Sequence, residues 1–312
     1  VYIFIVNPEA GKGRSRRIFS RIKKHTLYQE IESSYYYTKY VGHAEEIAQR
    51  ITKREDIVVT SIIVIGGDGT MHEVMNGIKN RNIPVSFIPG GSGNDFARGS
   101  AIKGNALEIL QQIINAQNGH PYWLGNFKID NRKKRFFINS LGFGFDAQVA
   151  RMASKSKLKG FFDRFHIGTV NYIIALLKVL LTFKPIDLEL EVNGKKRTIT
   201  KCWMVTIANH PYYGGGMKII PGAKIQPAVF PVLVLHSISK WKVLALFLSV
   251  FNGKHINFKE IELMNATHLK IISNEQLYYQ VDGQTGTCQT SEISKQSDEI
   301  RIFGKAVRKA GA

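Results

Sequence analysis

A chain of 312 residues that is 44% hydrophobic and 21% charged can bury a sizeable core, and its ordinary composition excludes a disordered or collagen-like polypeptide. Lys and Arg number 43 against 24 Asp and Glu, and the formal net charge of +19 favours a polyanionic partner, either a nucleotide or an anionic membrane face. No nucleic acid is expected, because no zinc-ligand spacing or RNP-like aromatic motif is legible. The two cysteines, Cys202 and Cys288, are too few for a disulfide framework and fit a reducing cytosol.

Residues 1–6 read as a buried strand that Asn7-Pro8 ends, since proline cannot continue a ladder. A small loop, Glu9 to Gly13, leads into a basic helix over about 15–26. Its arginines and lysines suit either a solvated face or a phosphate or lipid surface. A strand at 34–38 is followed by Gly42-His43-Ala44, which opens a helix through Arg54.

Two apolar runs then each enter a glycine-rich turn. Residues 62–65 are β-branched without interruption, as in a parallel strand buried on both faces. Gly66, Gly67 and Gly69 bracket Asp68 and would leave main-chain amides open to phosphate oxygens. Thr70 and Glu73 form a capping-box pattern, with Met71, Val74, Met75 and Ile78 making one apolar helix face. The start of that helix is an anion site by construction. Residues 85–88 repeat the logic, followed by Pro89-Gly90-Gly91-Ser92-Gly93 and the polar pair Asn94-Asp95. One such turn could be a plain connection, but two adjacent turns that each carry an aspartate favour phosphate binding. There is no Walker-type loop, and Gly142-Phe143-Gly144-Phe145-Asp146-Ala147 matches a dinucleotide fingerprint only weakly, with Asp163 near the place of a ribose acid.

After a helix at 106–116, the texture changes. Two alternating runs surround Asp130-Asn131, and a helical stretch follows at 148–183 with a break near Gly160. Asn193-Gly194 gives the strongest hairpin signal. Further strands are expected at 229–236, 260–263, 269–272, 277–281 and 300–303, with a helix at 240–251. The longest apolar helical run, 170–183, is too short to span a bilayer. No signal peptide precedes Val1, and the start at Val1 is expected to lack a few residues, including the initiator Met.

The motifs Gly66-Gly67-Asp68-Gly69-Thr70 and 89–99 (PGGSGNDFARG) resemble the diacylglycerol kinase catalytic domain of bacterial soluble lipid kinases, and the first is shared more distantly with NAD kinases. Further matches are Asn7-Pro8-Glu9-Ala10-Gly11-Lys12-Gly13, Thr38 with Gly42-His43-Ala44, Asn139 with 142–147, Tyr213-Gly214-Gly215-Gly216, and Val281-Asp282-Gly283. They extend the resemblance over nearly the whole chain. It implies an α/β N-terminal nucleotide-binding domain at 1–121, to which about 298–312 returns, and a mainly antiparallel β-sandwich at 122–297. It also puts the active site in the cleft between them.

The implied reaction is phosphoryl transfer from ATP, with Mg²⁺, to the hydroxyl of a membrane lipid such as diacylglycerol. The chain is expected to act in the cytoplasm, at the inner face of the cell membrane; a homodimer is left open. Nucleotide contacts are expected from Asn7, Pro8, Glu9, Ala10, Gly11, Thr38, Gly66, Gly67, Asp68, Gly69, Thr70, Met71, His72, Ser92, Asn94 and Asp95. Asp68 is the expected metal ligand, although Asp95 could instead be a helix cap. Asp282 is the expected base, although Asp-Gly read alone is simply a turn. An apolar slot for the lipid is expected from Phe161, Phe162, Phe165, Tyr172, Ile173, Leu176 and Leu177, residues that a core helix would explain equally well. Lys155, Lys157, Lys159 and Arg164 would meet head groups.

Two departures stand out. The family's Asp-Gly-Glu is here Asp282-Gly283-Gln284, and its magnesium-loop Asp-Gly is replaced around Gln226-Pro227-Ala228, which leaves no acidic ligand there. A catalytically impaired nucleotide- or lipid-binding regulatory protein of the same fold is therefore the alternative. A soluble-substrate kinase of the NAD kinase type ranks below it.

Overall fold

A computed structural model describes residues 1–78, 82–116, 119–155 and 168–303. The chain divides into two compact units. The first comprises Val1–Leu124, Tyr212–Gly216 and the segment from Gln296 onward; the second comprises Gly125–Pro211 and Met217–Lys295. Tyr212–Gly216, which the sequence reading leaves inside the second domain, is thus an excursion into the first.

The first unit is a six-stranded sheet in the order β2-β1-β3-β4-β17-β5. Its strands are β1 (Tyr2–Val6), β2 (Ser33–Tyr37), β3 (Ser61–Gly66), β4 (Val85–Pro89), β5 (His120–Tyr122) and β17 (Ile300–Phe303). The first four pair in parallel, as does β17 with β4, while β5 closes the edge antiparallel. Every residue of β3 is buried, as its unbroken β-branched run requires. The flanking helices are α1 (Arg14–Lys23), the short α2 (Thr26–Gln29), α3 (His43–Ile51), α4 (Asp68–Gly77), α5 (Asp95–Gly99) and α6 (Ala106–Ile114).

In the second unit a nine-stranded sheet runs β14-β13-β10-β8-β15-β16-β6-β7, with β9 pairing both β10 and β15. The strands are β6 (Gly125–Ile129), β7 (Arg135–Phe137), β8 (Ser140–Gly144), β9 (Ile186–Val192), β10 (Lys195–Ala208), β13 (Phe230–His236), β14 (Ile261–Ala266), β15 (His268–Val281) and β16 (Gln284–Lys295). The described pairings within this sheet are all antiparallel. Between them the sheet faces enclose a core that includes Phe127, Leu141, Phe143, Val205, Val232 and Leu269. A two-stranded ribbon pairs β11 (Tyr212–Tyr213) with β12 (Met217–Lys218). The helices of this unit are α7 (Phe145–Lys155), α8 (Gly168–Thr182) and α9 (Lys240–Val250).

The Asn193-Gly194 hairpin forms as its sequence dictates, with φ of 50° and 82° at the two turn residues. The predicted second strand of the Asp130-Asn131 hairpin is split. β7 pairs β6, the chain turns at Ile138-Asn139, and β8 joins β10 and β15 instead. β8 therefore lies in an antiparallel sheet, which removes the dinucleotide-fingerprint reading of 142–147; that motif needs a parallel βαβ unit. Gly144 (φ 95°) instead lets the chain pass against the Trp203 carbonyl. Ala228 stands at φ 65°, a left-handed conformation that glycine adopts more readily, in the segment where the family's magnesium loop departs.

Candidate active site

The two glycine turns are fused to each other. The Gly66 carbonyl accepts the N–H groups of both Gly90 (2.7 Å) and Gly91 (2.9 Å). A Cβ on Gly91 would stand 2.5 Å from the Cα of Gly67. Glycine is needed here because backbone meets backbone. This corrects the expectation for the second turn, whose amides at Gly90 and Gly91 serve the protein itself. Asn94, at φ 56°, accepts from Gly91 N–H (3.1 Å) and donates to its carbonyl (2.9 Å), and Ser92 is exposed. The loop after β1 packs onto the same place, because Gly11 (φ 56°) approaches the Gly90 carbonyl and Arg14 donates to the Gly91 carbonyl at 3.0 Å.

The capping box also differs from expectation. Helix α4 begins at Asp68, with Gly67 at its cap and no side chain capping it. Thr70 Oγ1 accepts from Asn7 Nδ2 (3.0 Å), and the Glu73 carboxylate reaches away to accept Ala44 N–H (3.2 Å) at the start of α3. Tertiary partners have outcompeted the local cap. The consequence favours an anion, since this ten-residue helix starts at a glycine with no side chain to cap it. Met71 and His72 are fully buried. The Met71 N–H is bonded to the Gly67 carbonyl (3.1 Å), and the His72 ring lies against Asn76 (3.3 Å), so neither side chain is presented outward.

Asn7 also accepts Glu9 N–H (3.1 Å), and Glu9 pairs with Arg16 (2.7 Å). Ala10 donates to the Asn7 carbonyl (3.2 Å), with Pro8 completing the turn. Thr38, buried at the end of β2, donates its N–H to the Val6 carbonyl (2.9 Å).

Asp68 accepts the N–H groups of Asp95 (3.1 Å) and Phe96 (2.9 Å), so it caps α5 from the neighbouring turn. Asp95 accepts Gly215 N–H (2.7 Å) and pairs with Arg98 (2.8 Å). Burial raises the Asp95 carboxyl above its ordinary value, against the opposing pull of Gly215 N–H and Arg98. The sequence reading names the motifs that hold Gly215 and Arg98 but not their contact with Asp95. The three consecutive glycines at 214–216, all at positive φ, were the available signal. Among the described residues, no three His, Cys, Asp or Glu side chains are placed to hold a metal. Mg²⁺ bound with a nucleotide needs only one or two carboxylates besides phosphate oxygens. Asp68 and Asp95 both border Gly93, where an added Cβ would meet Asp68 Oδ2 at 3.1 Å and Asp95 Oδ2 at 3.9 Å, and their oxygens accept the protein donors already named.

In the second unit, Asp282 (φ 47°) and Gly283 (φ 90°) form the two-residue turn between β15 and β16. The turn reading holds. The buried side chain accepts N–H groups from Ile138 (2.8 Å), Asn139 (2.8 Å) and Ser140 (3.2 Å). On the same segment Asn209 donates to the Ile138 carbonyl (2.9 Å), and His210 meets the Asn139 side chain at 2.8 Å. Lys295, half-buried as a residue, donates to Asn209 Oδ1. Burial pushes the Lys295 ammonium down to about 7 and the His210 imidazole down to about 4.

This network predicts a pH dependence. Between about 7 and the ordinary 10.5, the unfolded chain keeps a Lys295 proton that the folded chain has released. Stability therefore rises with pH across that window. Chemical denaturation as a function of pH should show the rise in the wild type and a flatter curve in Lys295→Met; equal slopes would sink the assignment.

Phe161, Phe162, Phe165, Lys157, Lys159, Arg164 and Asp163 lie outside the described residues, as do the side chains of Lys155, Tyr172 and Ile173. Leu176 is buried and Leu177 is exposed. Phe145, Phe183 and Trp203 form an aromatic cluster with ring centroids 5.1–5.5 Å apart. A cavity of about 560 Å³ in the first unit is lined by Ile18, Arg21, Ile22, Ile88 and Leu107 among others, and by none of the expected nucleotide residues.

The first unit is thus an α/β sheet with fused glycine turns, and the second an antiparallel β unit. Residues 1–121 match the diacylglycerol kinase catalytic domain, and residues 139–302 match the YegS C-terminal NAD kinase beta sandwich-like domain. The chain belongs to this family of lipid kinases. It is similar to the "Putative lipid kinase YtlR" of Bacillus subtilis, at 30% identity over 96% of this chain and 98% of that protein. It is also similar to the diacylglycerol kinase of the same organism, at 26% identity over 90% and 89%. A diacylglycerol kinase structure from Bacillus anthracis shares the fold, with a TM-score of 0.68 at 19% identity and coverage of 97% and 96%.

Proposed function

We propose that this protein is an ATP-dependent lipid kinase that phosphorylates the hydroxyl of a membrane lipid such as diacylglycerol, working at a membrane surface. The observation that carries this reading is the uncapped start of α4 at Gly67–Gly69, braced from behind by the second glycine turn. The first-turn amides of α4 would hold phosphate oxygens, with Asn7 and Thr70 fixing the turn from the side. Asp68 and Asp95 would hold Mg²⁺, which when bound neutralises phosphate charge. The lipid hydroxyl oxygen forms the new bond to the γ-phosphorus as the bond to the β–γ bridging oxygen breaks; ADP leaves and the hydroxyl proton passes to the Asp282 carboxylate.

The three amides on Asp282, with Gln284 beside it, favour a second reading in which the protein binds nucleotide or lipid without turnover. Transfer of labelled phosphate from ATP to a panel of extracted lipids, with NAD as a soluble control, separates the readings. The kinase reading expects a labelled lipid. Label on NAD alone, or lipid retention with no transfer across the panel, would overturn it.

A further inference from the structure

Helix α9 carries apolar side chains on two opposite sides, with Lys242 and Ser249 on a strip between them, yet only one of those apolar sides is covered. Val243, Leu246 and Val250 are buried, while Trp241 is 84% exposed, Leu248 70% and Phe251 50%. At 100° per residue Trp241, Ala245 and Leu248 share one stripe opposite the buried one, with Leu244 and Phe251 on its flank. A helix with apolar residues on both its buried and its opposite side normally packs that second side against something apolar as well. Helix α8 adds to this crest. Leu181 is 75% exposed and Leu177 42%, one turn apart, and Lys240 at the start of α9 donates to the Leu181 carbonyl, tying the two helix ends together.

The two chain segments that form the crest carry charge of one sign. Residues 174–184 and 239–254 contain Lys178, Lys184, Lys240, Lys242 and Lys254 and no Asp or Glu. Lys242 is paired with Glu260 at 2.7 Å, and the other four lysines are exposed. A protein–protein interface of ordinary kind is depleted in lysine at its core. A bilayer interface takes this pattern, with an indole and aliphatic side chains at the acyl boundary and lysines extending to phosphates. The net charge of +19 adds long-range attraction to an anionic surface.

We propose that the α8–α9 crest, with Trp241, Leu248, Phe251, Leu177 and Leu181 at its centre, is the surface by which this protein docks onto an anionic lipid bilayer. This deepens the lipid-kinase reading and rests on it only for its purpose. The docking is interfacial, since no described helix is long and apolar enough to cross a membrane.

The test is co-sedimentation of the full chain with phosphatidylcholine vesicles, with and without phosphatidylglycerol, in the absence of nucleotide. Binding to the anionic vesicles, weakened by salt and accompanied by a blue shift of tryptophan emission, is expected. The Trp241→Ser/Leu248→Ser double variant should bind about 100-fold more weakly, the loss of two large apolar anchors. Trp241→Phe should keep most of the binding and lose the emission shift. Equal vesicle affinity of the double variant and wild type would overturn the proposal. So would an unmoved emission, or a wild-type dimer in sedimentation velocity that the double variant dissociates. Because no turnover is measured, failure here leaves the kinase reading standing, and failure of phosphate transfer leaves vesicle binding intact.

Discussion

Asp282→Asn should lower phosphate transfer to lipid by about 10²- to 10⁴-fold, the range set by removal of a positioned general base. The same substitution should lower stability. Oδ1 and Oδ2 of Asp282 accept three main-chain N–H groups from Ile138, Asn139 and Ser140. An asparagine amide can present an oxygen to only one side of that set, so its NH₂ would face a donor. Leaving a buried donor unsatisfied costs about 1–3 kcal/mol. Steady-state transfer and thermal melting, measured together, separate the two tasks. A variant with a lowered melting temperature and full transfer would show that Asp282 anchors the 138–140 segment and does not accept the proton.

Gly91→Ala should abolish nucleotide binding without touching any charged group. The added Cβ would sit 2.5 Å from the Cα of Gly67, a backbone atom with no rotamer through which to retreat. The strain must therefore be relieved by separating the two turns, which breaks the shared hydrogen bonds on the Gly66 carbonyl. Overpacking and two lost hydrogen bonds together cost several kcal/mol, roughly 2–5, at this place. Isothermal titration with ATP and Mg²⁺ checks the outcome. Gly222→Ala, where an added Cβ meets no neighbour within 4 Å, is the matched control. Wild-type affinity in Gly91→Ala would mean that the fused turns do not shape the phosphate site.

The sequence was most readable where one local rule decided the outcome. The unbroken run at 62–65 had to be a buried strand, and Asn193-Gly194 had to be a hairpin turn. It misled where a distant partner won. Thr70 and Glu73 spell a cap, but Asn7 and Ala44 claim their side chains, so the helix starts three residues earlier than the pattern says. β16 is the clearest omission. Its residues (QTGTCQTSEISK) are polar enough to pass for a loop, with Cys288, Ser291 and Ile293 the buried positions, and its pairing with β15 over ten residue pairs holds it in the sheet. The candidate site was legible in its residue types and less so in their tasks. Glycines expected to face phosphate at Gly90 and Gly91 face other backbone, and the acids Asp68 and Asp95 brace α5 and Gly215 as well as facing Gly93.

The position of β17 has a consequence for biosynthesis. It lies between β4 and β5, yet it is built from residues 300–303, near the end of the chain. While the ribosome is still making the preceding 175 or so residues, roughly ten seconds or more at common elongation rates, β4 presents an open flank with unsatisfied amides. Such a flank invites mispairing with other nascent chains. Truncations that end before Ile300 should accordingly accumulate in inclusion bodies, even though every residue of the two glycine turns would already have been translated.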